Sequence, residues 1–168
     1  MCRQFTSRTN FVWLTNSGTV VKKAGPDFFR GGIRFSPREQ LIREASYLNL
    51  LESPHFPKVL SVKLDELELT YCGDPLEAQP IPADWQSQVR EIANLLRDQN
   101  IVHRDIKPAN ILVKDGKLCL IDFGLAFRGI REFWISPREI SFNTNPIYLY
   151  SNLRALTKVL YDKSSQVS

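Results

Sequence analysis

The chain has 168 residues, of which 43% are hydrophobic and 24% charged, with a net charge of +4. That length suits one domain with a core of its own and is short for two. No apolar run approaches the roughly 20 residues that a membrane-crossing helix requires. The opening stretch MCRQFTSRTN lacks the apolar centre of a signal peptide, and the three cysteines, Cys2, Cys72 and Cys119, form no CxxC pair. These features argue against a membrane partner and a zinc site, and they set the expectation of a cytoplasmic protein with reduced thiols. The basic residues are spread along the chain, so no nucleic-acid-binding patch stands out.

NFVWLT (residues 10–15) and TVVKKA (19–24) flank Asn-Ser-Gly and predict a hairpin. A Gly- and Pro-bearing loop is expected from Gly25 to Phe35. Ser-Pro-Arg-Glu at 36–39 predicts a helix start, with serine as cap, proline in the first turn and glutamate three residues on. That helix carries Leu41, Ile42, Ala45 and Leu48 as its stripe and is expected to end near Glu52. KVLSV and LELTY read as two further strands.

DPLEAQPIPAD (74–84) has three prolines and divides the chain. Beyond it, Val89, Ile92, Ala93, Leu95 and Leu96 predict a helix to about Gln99. HRDIKPAN is then a loop, ILV and LCLI two strands about the turn KDGK, and Gly129 to Asn145 irregular. A last helix is expected from Pro146 to about Tyr161. Strands around one helix, then a linker, then a mainly helical half give an α+β class with two lobes and a crevice between them. The expected division is 1–73, a linker at 74–83, and 84–168, all within one domain.

The polar residues concentrate in HRDIKPANIL and IDFG. Asp105 stands five residues before Asn110, and Asp122-Phe123-Gly124 begins twelve residues after that. A carboxylate, a lysine, an amide and a second carboxylate at this spacing mark the two stretches as the candidate functional site. Singly, Asp105 would be a cap, Lys107 a solvated charge and Asn110 a turn residue. As a set, they resemble the eukaryotic-type protein kinase superfamily, on its Ser/Thr branch because of Lys107.

The resemblance implies a protein-kinase-like fold, with a few-stranded antiparallel sheet and one helix in a reduced first lobe. It implies a truncated, mainly helical second lobe. It also implies ATP and Mg²⁺ as cofactors and a protein substrate with Ser or Thr. By the same resemblance Asp105 is the catalytic base, Lys107 neutralises the transferring group, and Asn110 and Asp122 are metal ligands. His103, Phe123 and Leu48 would form a packing stack. Thr-Val-Val-Lys at 19–22 resembles the family's Val-Ala-Ile-Lys strand, which makes Lys22 the phosphate lysine and Val20 the roof of the adenine. Lys23 is its rival, because a one-residue slip exchanges the two faces. Glu44 falls where the family's helix glutamate pairs with that lysine, or else is an ordinary solvated charge. Backbone near Thr70 to Cys72 falls where the family binds an adenine edge.

Three departures accompany the match. There is no Gly-x-Gly-x-x-Gly, and Thr6, Ser7, Arg8 and Thr9 stand in its place as a looser clamp. Ser-Pro-Arg-Glu at 136–139 only echoes the family's Ala-Pro-Glu, and Ser136, Ser141 and Thr144 are conceivable phosphorylation sites for which Arg104 would be the receptor. Asn145 or Pro146 falls where the family has a bracing aspartate, and the later docking helices are expected to be absent, supplied if at all by a partner protein. Two other readings stay open: a compact kinase or ATPase with a non-protein substrate, resembling the kinases of the tRNA-modifying KEOPS complex, and a non-catalytic nucleotide-binding or regulatory module.

Overall fold

The computed structural model describes residues 3–5, 9–128 and 152–165. The first half builds an antiparallel sheet from β1 (Arg3–Phe5), β2 (Asn10–Leu14), β3 (Thr19–Ala24), β6 (Val59–Val62) and β7 (Glu66–Thr70), in the order β1-β2-β3-β7-β6. The β2–β3 turn closes because Gly18 takes φ 78° while the Thr15 amide donates to the Thr19 carbonyl at 2.8 Å. Register pairs Val20 with Leu69 and Lys22 with Leu67, so those four side chains share one face.

The segment read from sequence as a loop contains a second hairpin, β4 (Phe28–Arg30) and β5 (Ile33–Phe35). Gly31 and Gly32 lie at φ 57° and 78°, which supplies the two-residue positive-φ turn that hairpins favour. Phe28 and Phe35 are directly paired and their rings stack at 5.2 Å. Phe-Arg-Gly-Gly-Ile-Arg carried the signal, and the run of loop-forming residues around it masked it.

Helix α1 (Pro37–Leu48) starts as expected, with the Glu39 amide donating to Ser36 Oγ. It stops at Leu48, short of Glu52, because Asn49 caps it and turns the chain. The buried stripe also differs from the expected one. Ile42 is 46% exposed, and the spacing 41, 44, 45, 48 puts Glu44 in the stripe with Leu41, Ala45 and Leu48. A carboxylate therefore takes a position that an apolar pattern assigns to the core.

The second half begins with β8 (Asp74–Pro75), a short 3-10 turn, and α2 (Trp85–Asp98), which buries Gln88, Val89, Ile92, Ala93 and Leu96. The Gln88 side-chain amide spans the turn at Asp115 and Gly116, donating to the Gly116 carbonyl and accepting from the Leu118 amide, both at 2.8 Å. Then come β9 (Ile101–Val102), a 3-10 turn at Pro108–Asn110, β10 (Ile111–Lys114), β11 (Lys117–Leu120), a 3-10 turn at Phe123–Leu125, and β12 (Phe127–Arg128). Strands β11, β10 and β8 form one small sheet, and β12 pairs with β9. The last described helix, α3 (Asn152–Ser164), packs on α2 and runs three residues past the expected end. The expected start of that helix at Pro146, the irregular segment 129–145 and the stretch Thr6–Arg8 lie outside the described residues.

One apolar cluster joins both halves: Leu41, Ala45 and Leu48 of α1 meet Leu67 and Leu69 of β7, Phe123, and Leu96, Leu156 and Leu160 from α2 and α3. Among the described residues no helix is long and apolar enough to cross a membrane.

Candidate active site

The site forms where α1, β3 and the Asp122-Phe123-Gly124 segment meet. Lys22 projects from β3 and Glu44 from α1, and Lys22 Nζ lies 2.7 and 2.8 Å from the two Glu44 carboxylate oxygens. Both residues are buried, at 7% and 1% exposure. Asp122 Oδ1 stands 4.0 Å from the same Nζ, on a side chain that is still 44% open. Lys23, one residue along, points to the other face, where it pairs with Asp65 at 3.8 Å on the surface. Alternation along β3 thus divides the two lysines into a buried and an exposed cation.

Burial pulls the Lys22 ammonium down, but Glu44 and Asp122 together outweigh it and raise it above its ordinary value. Burial opposes ionisation of Asp122 as well, yet Lys22, with Lys107 adding, holds its carboxyl below the usual range. The Glu44 carboxyl is raised by burial, with the charge of Asp122 acting in the same sense and Lys22 against. One lysine therefore serves two carboxylates, and Asp122 is the one with access to solvent.

A second group lies on the loop after β9. Lys107 Nζ donates to Asp105 Oδ2 at 2.7 Å, and the Asn110 amide nitrogen donates at 2.9 Å to both the Asp105 carbonyl and Oδ2. Asn110 spends its NH₂ on Asp105, so its oxygen is the end left for another partner. The Asn110 carbonyl accepts from the Ile121 amide at 3.0 Å, which sets Asn110 beside the residue preceding Asp122.

His103 and Phe123 hold these pieces in place. His103 is fully buried, its Nε2 bonds the Ile121 carbonyl at 2.9 Å, and its Nδ1 accepts from the Asp105 amide at 3.2 Å. That pattern requires a neutral ring with its proton on Nε2, and burial does lower the His103 pKa from its ordinary value of 6.5. Phe123 is also fully buried, edge-on to His103 at 4.6 Å and to Phe56 at 5.9 Å. Its burial contributes about 1.5–3 kcal/mol. Leu48 belongs to the same buried cluster. Arg104 and Asp122 both adopt left-handed backbone, at φ 65° and 68°. Each costs about 1–2 kcal/mol, which the packing of His103 and Phe123 offsets.

Helix α1 is fixed against this segment at several points: Arg43 Nη1 donates to the Gly124 carbonyl at 3.3 Å, and a Cβ on Gly124 would come within 3.3 Å of Gln40.

The fold brings Lys22, Glu44 and Asp122 together, and separately Asp105, Lys107 and Asn110, with Ile121 and Phe123 between the two groups. Val20 shares the face of Lys22. Thr70 and Cys72 are not part of either charged group. The Thr70 amide is committed to the Lys58 carbonyl, and the Cys72 side chain lines a different groove. Arg104 donates to the Leu125 carbonyl at 2.7 Å and lies over the Phe127 ring. Ser136, Ser141, Thr144, Asn145 and Pro146 lie outside the described residues.

Two contributors escaped the sequence reading. Phe56 supplies a second ring against Phe123. Asn152, at the start of α3, accepts from the His103 amide at 3.0 Å and donates to the Ile101 carbonyl at 2.8 Å, clasping both sides of the loop. No local spacing rule points to Asn152 from the residues it clasps.

Residues 36–133 match the protein kinase domain family, so the chain belongs to that family. It is similar to serine/threonine-protein kinase mph1 of Schizosaccharomyces pombe, 48% identical over 52 residues, which are 31% of this chain and 8% of the relative. It is similar to the probable serine/threonine-protein kinase YbdM of Bacillus subtilis, 58% identical over 40 residues, 24% of this chain and 16% of that one. With cyclin-dependent kinase F-3 of Oryza sativa it shares 30% identity over 137 residues, 73% of this chain and 30% of the relative. The matched stretches thus span less than a third of each of these relatives.

Proposed function

We propose that the chain is an ATP-dependent phosphotransferase, a minimal serine/threonine protein kinase that moves the γ-phosphoryl group of Mg-ATP to a hydroxyl. The observation that carries this reading is the shared lysine: Lys22 is held by Glu44 and faces Asp122 across 4.0 Å. A buried cation beside a solvent-accessible carboxylate is the electrostatic arrangement that a nucleotide's phosphates and their metal require.

In this reading residues 1–73 form a first lobe, 74–83 the linker and 84–168 the second lobe, with the nucleotide in the crevice between them. Mg-ATP supplies the phosphoryl group and the divalent charge that neutralises it. The donor set suits magnesium, which takes a few hard protein oxygens and completes its shell with phosphate and water. Asp122 offers a carboxylate and Asn110 the oxygen that its bonds to Asp105 leave over. Lys22 would bind the α- and β-phosphates. Val20 would cover the adenine, and the backbone from Thr70 to Cys72 would meet its edge.

Asp105 would orient the acceptor hydroxyl and take its proton. Its Oδ2 is occupied by Lys107 and Asn110, which fixes the carboxylate plane and leaves the other oxygen for the substrate. Lys107, half-exposed, can swing from Asp105 to the transferring group. Glu44 keeps Lys22 extended, and the neutral His103 ring positions Asp105 through its amide.

Labelled ATP with Mg²⁺ tests the reading: the protein should label itself or a generic basic substrate. Asp105→Ala should reduce labelling at least about 100-fold while the fold persists. Equal labelling by both proteins would refute transfer by this site. Tight Mg-ATP binding with no transfer to any hydroxyl would favour a regulatory nucleotide-binding module instead.

A further inference from the structure

A groove of about 390 Å³ lies behind the segment that joins β7 to β8, away from the charged groups described above. Cys72 and Cys119 both line it, together with Lys58, Lys114 and Lys117. Cys72 is half-buried and reachable from the groove, whereas Cys119, on β11, is 2% exposed. The two thiols lie near enough to each other along the groove to influence one another's ionisation, and the Cys72 Sγ donates to the Thr70 carbonyl at 3.8 Å. The backbone beside the groove is closely packed. Gly73 sits at φ 105°, and a Cβ there would come within 2.2 Å of the Val113 carbonyl, whose strand partner Leu118 precedes Cys119.

We propose that Cys72 and Cys119 form a hydroperoxide-sensitive thiol pair, in which Cys72 is oxidised first and Cys119 closes an intramolecular disulfide. The Cys72 thiolate attacks one oxygen of the hydroperoxide and breaks the O–O bond. This leaves a sulfenic acid on Cys72, and the other oxygen departs as water or alcohol after taking up a proton. Cys119 sulfur then attacks the Cys72 sulfur and expels hydroxide, which leaves as water with the Cys119 proton. The two thiols lose two electrons in all, and the peroxide gains them.

The division of roles follows from surroundings. The neighbouring Cys119 is the main influence pulling the Cys72 thiol below its ordinary value, against burial, with Thr70 and Lys114 assisting. Burial, with Cys72 adding, pushes the Cys119 thiol well up. An accessible, cation-flanked thiol attacks peroxide, and a buried neighbour without access to bulk oxidant resolves it. The link would tie the β7–β8 segment to the strand that leads into Asp122. The proposal goes beyond phosphoryl transfer and stands whether or not the protein transfers phosphate.

The test is hydrogen peroxide treatment of the full chain, followed by intact mass and non-reducing peptide mapping. The expected product has lost the mass of two hydrogen atoms, contains a Cys72–Cys119 cross-linked peptide, and reverts with dithiothreitol. Cys119→Ser should stop at a Cys72 sulfenic acid that a dimedone-type probe traps. Should the serine disturb the core, Cys72→Ser, at the accessible position, should leave Cys119 unmodified at the same peroxide dose. A disulfide from Cys2 to either partner, oxidation of Cys119 in the Cys72→Ser protein, or no mass change would overturn the proposal.

Discussion

Lys22 and Glu44 are 22 residues apart in sequence and joined by a two-pronged ion pair inside the protein, with neither side chain more than 9% exposed. A buried pair of this kind owes its stability to both members being present. Removing one leaves a charge that the interior does not solvate. Lys22→Met should destabilise the fold by about 3–5 kcal/mol, measured as a lower urea midpoint at unchanged slope. The double variant Lys22→Met, Glu44→Leu should recover most of that loss, and a double variant as unstable as the single would contradict the account.

Lowering the pH should destabilise the protein through His103. Its folded-state pKa lies below the ordinary 6.5, so the stabilisation is complete above that value and is lost as pH falls through the folded pKa. Protonating Nδ1 also removes the acceptor for the Asp105 amide. Urea unfolding across this acid range should show stability falling with pH in the wild type, and a shallower fall in His103→Phe. Parallel slopes would assign the acid sensitivity elsewhere.

Asn152 clasps the loop from both sides, and Asn152→Ala strands the His103 amide and the Ile101 carbonyl. The expected loss is about 1–3 kcal/mol, with faster hydrogen exchange at His103 than at the β3 amides. Unchanged exchange at His103 would show that the clasp does not hold the loop.

Much of the architecture follows from local rules. The β2–β3 hairpin, the Ser36 cap and the apolar spacing of α2 all follow from turn chemistry and periodicity. What those rules could not supply depends on partners distant in sequence. Glu44 sits in a buried stripe because Lys22 awaits it there, while Ile42, apolar and in the expected stripe, faces solvent. Periodicity on β3 left Lys22 and Lys23 open, and only the placement of α1 gives them different surroundings. Phe56 and Asn152 reach the site from 67 residues before Phe123 and 49 after His103, separations at which no spacing rule operates. The β4–β5 hairpin was hidden for the opposite reason: its Gly-Gly turn was present but surrounded by other loop-forming residues.

Gly73 offers a purely steric check. Alanine there must adopt φ near 105° and push its Cβ into the Val113 carbonyl. Gly73→Ala should cost more than about 1 kcal/mol, seen as a reduced Tm, whereas Gly116→Ala, where the added carbon meets nothing within 4 Å, should cost less. Equal losses at the two positions would contradict the close approach at Gly73.

The central claim is that Lys22, Asp122 and Asn110 together receive a metal-bound triphosphate, and a calorimetric titration of ATP with and without Mg²⁺ reads it most directly. The account predicts that Mg²⁺ tightens ATP binding to the wild type, that Asp122→Asn removes this tightening, and that Lys22→Met weakens ATP in both conditions. ATP affinity that is indifferent to Mg²⁺ in the wild type, or no measurable binding at all, would contradict it.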